Sequence, residues 1–179
     1  VARVVLGLGT MGTATLPLYG RQRFGMGEAS TASLTLTALL GQTLAAPVLG
    51  WLGDRWGHKH LFEIASLMIA VALAVILIAP SAHWLYATFA LMTAGTAAFG
   101  VAGMAIMMEF FEPAELPSYS ASAATAMGFA MFVAPVIGGR IVDLAGYRSV
   151  FAVALGATLC GGAIMRWMVR RPARLRASE

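Results

Sequence analysis

Between Gly50 and Phe62 the chain reads GWLGDRWGHKHLF, and this short stretch gathers Asp54, Arg55, His58, Lys59 and His60. The chemistry open to such a cluster is electrostatic rather than bond-making. A carboxylate such as Asp54 is suited to accept hydrogen bonds from a helix N-terminus, where its charge complements the positive end of the dipole. Arg55 and Lys59 are suited to pair with a carboxylate at the end of another helix, and Glu109 is the nearest in topology. An ion pair of this kind that forms in one state and parts in another biases the equilibrium by about 1–3 kcal/mol, a typical coupling energy. The plainer alternative is that these residues set topology and snorkel to the membrane interface. Bond-making chemistry lacks its parts. No GxS or HExxH pattern occurs, and His58, His60 and His83 are expected in loops. Two histidines at i, i+2 make a poor metal site, and no cofactor motif is present.

The elements that must carry this cluster are apolar. Of 179 residues, 59% are hydrophobic and 11% charged, against about 25% charged in soluble domains. With a mean hydropathy of +0.80, so much apolar surface cannot be hidden in a soluble core of this size. An integral membrane protein follows. The net charge of +4 then points to loops facing an anionic leaflet, not to nucleic acid. A single cysteine, Cys160, rules out an internal disulfide framework. The chain opens on Val1 and runs into an apolar segment with no charged leader and no cleavage site; the missing Met suggests a fragment.

A hydrocarbon core about 30 Å thick takes about 20 residues of helix, and six segments suit that length. They run over about 2–19, 31–52, 61–79, 85–108, up to about 139, and 150–169, the fifth beginning after the loop EFFEPAELP. Arg21, Arg23 and Glu28 are expected in a polar loop, GRIVDLAGYR in a connector, and Arg170 to Arg176 in a cationic tail. Six spans put both termini on one side. If that side is the cytoplasm, Arg3, Arg55, Lys59, Arg166, Arg170, Arg171, Arg174 and Arg176 lie inside, and Arg21, Arg23, Arg140 and Arg148 outside. The excess satisfies the positive-inside rule. Glycines are dense on the first, fourth, fifth and sixth spans, where close helix approach or ordinary bundle packing accounts for them.

At an offset of 89 residues the chain resembles itself. Gly50, Asp54, Gly57 and Phe62 fall on Gly139, Asp143, Gly146 and Phe151, and Lys59 falls on Arg148. Each copy follows the second of three spans, so the second copy lies on the opposite face. The expected fold is therefore an all-α integral membrane bundle of six transmembrane helices, arranged as a 3+3 inverted repeat with units of about 1–80 and 81–179.

These stretches resemble a known family. GWLGDRWGHKHLF is similar to the signature GxLaDrxGrkxxl of the major facilitator superfamily (MFS). Gly50, Leu52, Gly53, Asp54, Arg55, Gly57 and Lys59 are in place, with His58 where Arg is usual. APVIGGRIVDLAGYRSVF resembles that family's PxxGG…D..G(Y/W)R..F ending, and MMEFFEPAELPSYSASA its loop between the tenth and eleventh helices. The resemblance covers all six spans and implies the C-terminal half of a twelve-span transporter. It implies alternating access in the plasma (inner) membrane, a small solute as cargo, frequent proton coupling, and a missing N-terminal half or a second copy as partner.

The gating residues expected on this basis are Gly50, Gly53, Asp54, Arg55, Gly57, Lys59 and Glu109, mirrored on the other face by Gly139, Asp143, Gly146 and Arg148. No ionisable residue lies deep in a span, which weighs against a proton site in this half. Mid-span polar groups include Thr10, Thr13, Gln42, Thr93 and Thr96. The family's cavity is lined by the first and fourth helices of each half, which favours the four threonines; a threonine bonded to its own backbone is the plainer alternative. Gln42 is the most polar mid-span group. The rival classes are a non-transporting receptor or assembly subunit and, more remotely, an intramembrane enzyme.

Overall fold

The computed structural model describes residues 11–110 and 115–168, without the side chains of Met107, Glu109, Phe110 and Met168. All of the regular structure there is helical: α1 (Met11–Phe24), α2 (Glu28–Trp56), α3 (His58–Ile78), α4 (His83–Phe110), α5 (Leu116–Ala145) and α6 (Tyr147–Met168). Helices α2 to α6 are each long and apolar enough to cross a membrane. The 21 residues of α3 span about 32 Å at 1.5 Å per residue, close to one hydrocarbon thickness. Of the first expected span, only the part from Met11 onward is described.

The helices outrun their predicted ends. Arg21 and Arg23 sit in the last turn of α1 rather than in a loop. Gly53 to Trp56 continue α2, and His58 and His60 open α3 rather than lying in a loop. His83 likewise starts α4. Gly139 to Ala145 continue α5, and Tyr147 already belongs to α6. Pro117, expected in a loop, lies in the first turn of α5, where its missing N–H breaks no helical bond. The common reason is that polarity marks the edge of the membrane, whereas only a conformational break ends a helix.

Such breaks come at single glycines. Gly57 separates α2 from α3 at φ 88°, and Gly146 separates α5 from α6 at φ 79°. These left-handed values are open to glycine without penalty. Each glycine N–H closes the preceding helix, Gly57 onto the Gly53 carbonyl at 2.8 Å and Gly146 onto the Val142 carbonyl at 2.9 Å.

Helix α4 packs along both α2 and α3, α3 packs against α6, and α1 leans on α5 and α6. At the α2–α4 crossing a Cβ on Gly41 would lie 2.9 Å from the Ala90 backbone, so the two helices approach as closely as glycine permits. The core has two centres. One gathers Leu16, Tyr19, Ile76, Leu85, Phe89 and Phe151; the other, toward the Gly57 end, gathers Leu49, Leu61, Phe62, Phe99 and Met165. Helices α2 and α5 stand apart. Within their most apolar stretches α2 and α5 are 17% buried, against 50% for α3 and α4.

Candidate functional site

Three groups of residues carry the site. The first is the helix break at Gly57. Asp54, on the last turn of α2, is 78% exposed and lies 3.5 Å from His58 Nε2 on the first turn of α3. Arg55 stacks over the Trp51 ring, 5.5 Å from its centroid, a cation–π arrangement. Lys59 Nζ donates to the Arg166 carbonyl at 3.3 Å. A Cβ on Gly53 would meet the Leu61 side chain at 2.8 Å, whereas Gly50 faces open space. The structure thus brings Asp54, His58 and Gly53 together and directs Arg55 and Lys59 to Trp51 and α6. Glu109 lies on α4, but its side chain is outside the described residues.

The second group is the break at Gly146. Asp143 is exposed, and Gly139, like Gly50, faces open space. Arg148 Nη2 donates to the Leu77 carbonyl at 3.2 Å. Arg23 lies over the Tyr19 and Phe24 rings, at 5.7 and 5.6 Å. The two long-range cation contacts are related residue by residue. Lys59 and Arg148 are 89 positions apart, and so are their acceptors, Leu77 and Arg166. A cation at the start of α3 therefore holds the end of α6, and a cation at the start of α6 holds the end of α3. Each places positive charge on the negative end of a helix dipole. Sequence reading found the two cations through the repeat. It missed the carbonyl acceptors, because a backbone acceptor leaves no residue-type signal.

The third group lines a cavity of about 510 Å³ between α1, α4 and α5. Its walls include Met11, Thr13, Thr96, Phe99, Met127 and Met131. Thr13 and Thr96, both named in the sequence reading, line this one cavity. The Thr96 hydroxyl donates to the Thr93 carbonyl at 2.8 Å, while the buried Thr13 Oγ1 has no hydrogen-bond partner among the described residues. Thr93 lies elsewhere: its buried Oγ1 sits 2.9 Å from the Phe89 carbonyl and 3.0 Å from the Ala38 carbonyl on α2. Gln42 is exposed on α2, and Thr10 is outside the described residues. A further α2–α4 link, Ser33 Oγ to Tyr86 OH at 2.9 Å, was not anticipated; a hydroxyl pair across two spans has no periodic signature.

The profile of the Major Facilitator Superfamily matches residues 1–179. Among curated proteins, the chain is similar to the MFS-type transporter ppzB of Metarhizium rileyi (strain RCEF 4871), with 27% identity over 143 residues. That alignment covers 77% of this chain and 29% of the relative, so the chain spans less than a third of that protein's length.

Proposed function

Because the chain belongs to the Major Facilitator Superfamily and is a multi-pass membrane protein, we propose that it forms one six-helix half of a secondary transporter. In this reading a small solute crosses by alternating access, with a second six-helix unit completing the pathway. The observation that carries the proposal is the pair of matched helix breaks with their reciprocal cation contacts, Lys59 on Arg166 and Arg148 on Leu77. Correspondence of residues, of glycine φ and of acceptors at one offset supports a 3+3 inverted repeat with units of about 1–80 and 81–179. The helix pairings agree with it: α2 on α4 corresponds to α5 on α1, and α3 on α4 to α6 on α1. Such repeats underlie alternating access in secondary transporters.

The exposed second helices, α2 and α5, are the surfaces offered to the missing unit, whether an N-terminal half or a second copy. Asp54 is mostly exposed at the end of α2, and a helix N-terminus from that unit is its proposed dock. Charge asymmetry supports cytoplasmic termini in a plasma membrane. Proton coupling, if present, draws on groups outside this half's spans. The cavity between α1, α4 and α5 is the proposed solute site. Uptake by the complete protein tests the proposal: Asp54→Asn is expected to abolish most transport at normal membrane abundance. Unchanged flux in that variant would refute the docking role, and a complete protein that moves no solute would favour a receptor or assembly subunit.

A further inference from the structure

The cavity's chemistry narrows its cargo, on the premise that it is the solute site. No ionisable side chain is among its described walls, which are thioether, aromatic and aliphatic apart from two threonines. A charged solute leaving water for such walls loses hydration and gains no counter-charge. A polyhydroxylated solute fares little better, because each hydroxyl needs a partner and only two side-chain hydroxyls are on offer. Methionines at positions 11, 127 and 131 supply soft, deformable surface that adapts to irregular apolar shapes. The volume of about 510 Å³ falls within the usual range for small-molecule sites.

The two hydroxyls are not equivalent. Thr96 spends its proton on the Thr93 carbonyl, so its oxygen is left as an acceptor. Thr13 has no partner among the described residues. A buried donor without an acceptor is unfavourable until one arrives, and the residue that carries this one lines the cavity. We infer that the cavity takes neutral, predominantly apolar molecules bearing a hydrogen-bond-accepting oxygen, such as a ketone, ester or amide, and that Thr13 is the donor that fixes that oxygen.

Three probes of similar bulk separate the elements of this inference, applied to the complete protein in lipid nanodiscs with empty nanodiscs as blank. Triphenylphosphine oxide is neutral with a strong acceptor, triphenylmethane is neutral without one, and tetraphenylphosphonium is a cation. The oxide is expected to bind at least tenfold more tightly than either of the others. Thr13→Val should weaken the oxide about tenfold, the scale of one neutral hydrogen bond, without changing triphenylmethane, and Thr13→Ser should restore it. The valine variant loses no internal hydrogen bond, so its unfolding temperature should not fall. Met131→Trp, at a half-exposed position on the cavity wall, fills the space and should abolish binding. If tetraphenylphosphonium or triphenylmethane binds as well as the oxide, if no probe binds, or if Thr13→Val changes nothing while Met131→Trp still blocks, the cargo class is wrong. If Met131→Trp leaves binding intact, the cavity is not the solute site.

Discussion

Removing the two reciprocal cations tests the repeat at the level of energy. Lys59→Met and Arg148→Met keep an apolar stem and delete the charge that reaches the Arg166 and Leu77 carbonyls. A hydrogen bond from a charged donor contributes about 1.5–3 kcal/mol when shielded. A surface cation at a helix C-terminus contributes about 0.3–1 kcal/mol. Both contacts are exposed, so the lower scale governs, and each variant should cost about 0.5–1 kcal/mol. The contacts lie at opposite ends of α3, about 27 Å apart along the helix from Lys59 to Leu77 at 1.5 Å per residue. At that separation their effects should add. In a domain of this size about 1 kcal/mol lowers the unfolding temperature by about 2–4 °C. Each single variant should therefore lose about 1–4 °C and the double variant about 2–8 °C, read by intrinsic fluorescence in one detergent at fixed protein concentration. Added salt should shrink the losses, since exposed charges are screened. A loss from one variant and none from the other would refute the symmetric reading, and so would a double variant no weaker than either single.

Three further outcomes follow from the glycines and from the α2–α4 seam. Gly57→Ala and Gly146→Ala both force a Cβ into left-handed backbone, so each should cost about 1–2 kcal/mol in thermal unfolding, by similar amounts. Gly41→Ala drives a Cβ to 2.9 Å from the Ala90 backbone, which has little freedom to yield; a loss of about 1–3 kcal/mol and lower yield in the membrane are expected. Gly50→Ala and Gly139→Ala meet open space within this chain, so both should leave its unfolding unchanged or raise it slightly. Uptake that nonetheless falls would favour a close contact with the proposed second unit at those glycines.

Much of this was legible because membrane segments announce themselves by length and composition, and because matching residues at an offset of 89 drew attention to both connectors. The boundaries were less so. Arg21, Asp54, Arg55 and Asp143 look like loop residues in sequence yet lie on helices, since a charged side chain at the interface does not interrupt backbone hydrogen bonding. The true breaks at Gly57 and Gly146 show only as glycines among many. Thr93 and Thr96 look alike in sequence, three residues apart on α4. Their fates diverge because a rotation of about 300° along the helix turns one toward α2 and the other toward the cavity. Packing direction decides that, and sequence spacing alone does not carry it.

The α2–α4 seam also bears on how the bundle is made. Helix α2 packs more extensively on α4 than on its neighbour α3, and its links to Thr93 and Tyr86 lie on α4 as well. A chain that enters the membrane from its N-terminal end therefore holds α2 without its main partner until α3 and α4 have both followed. During that interval the Gly41 face and the Ala38 carbonyl meet lipid or an insertion factor instead of α4. Substitutions at Gly41 or Ala90 should then act during synthesis, as degraded half-inserted chains, before any finished molecule exists to be unstable.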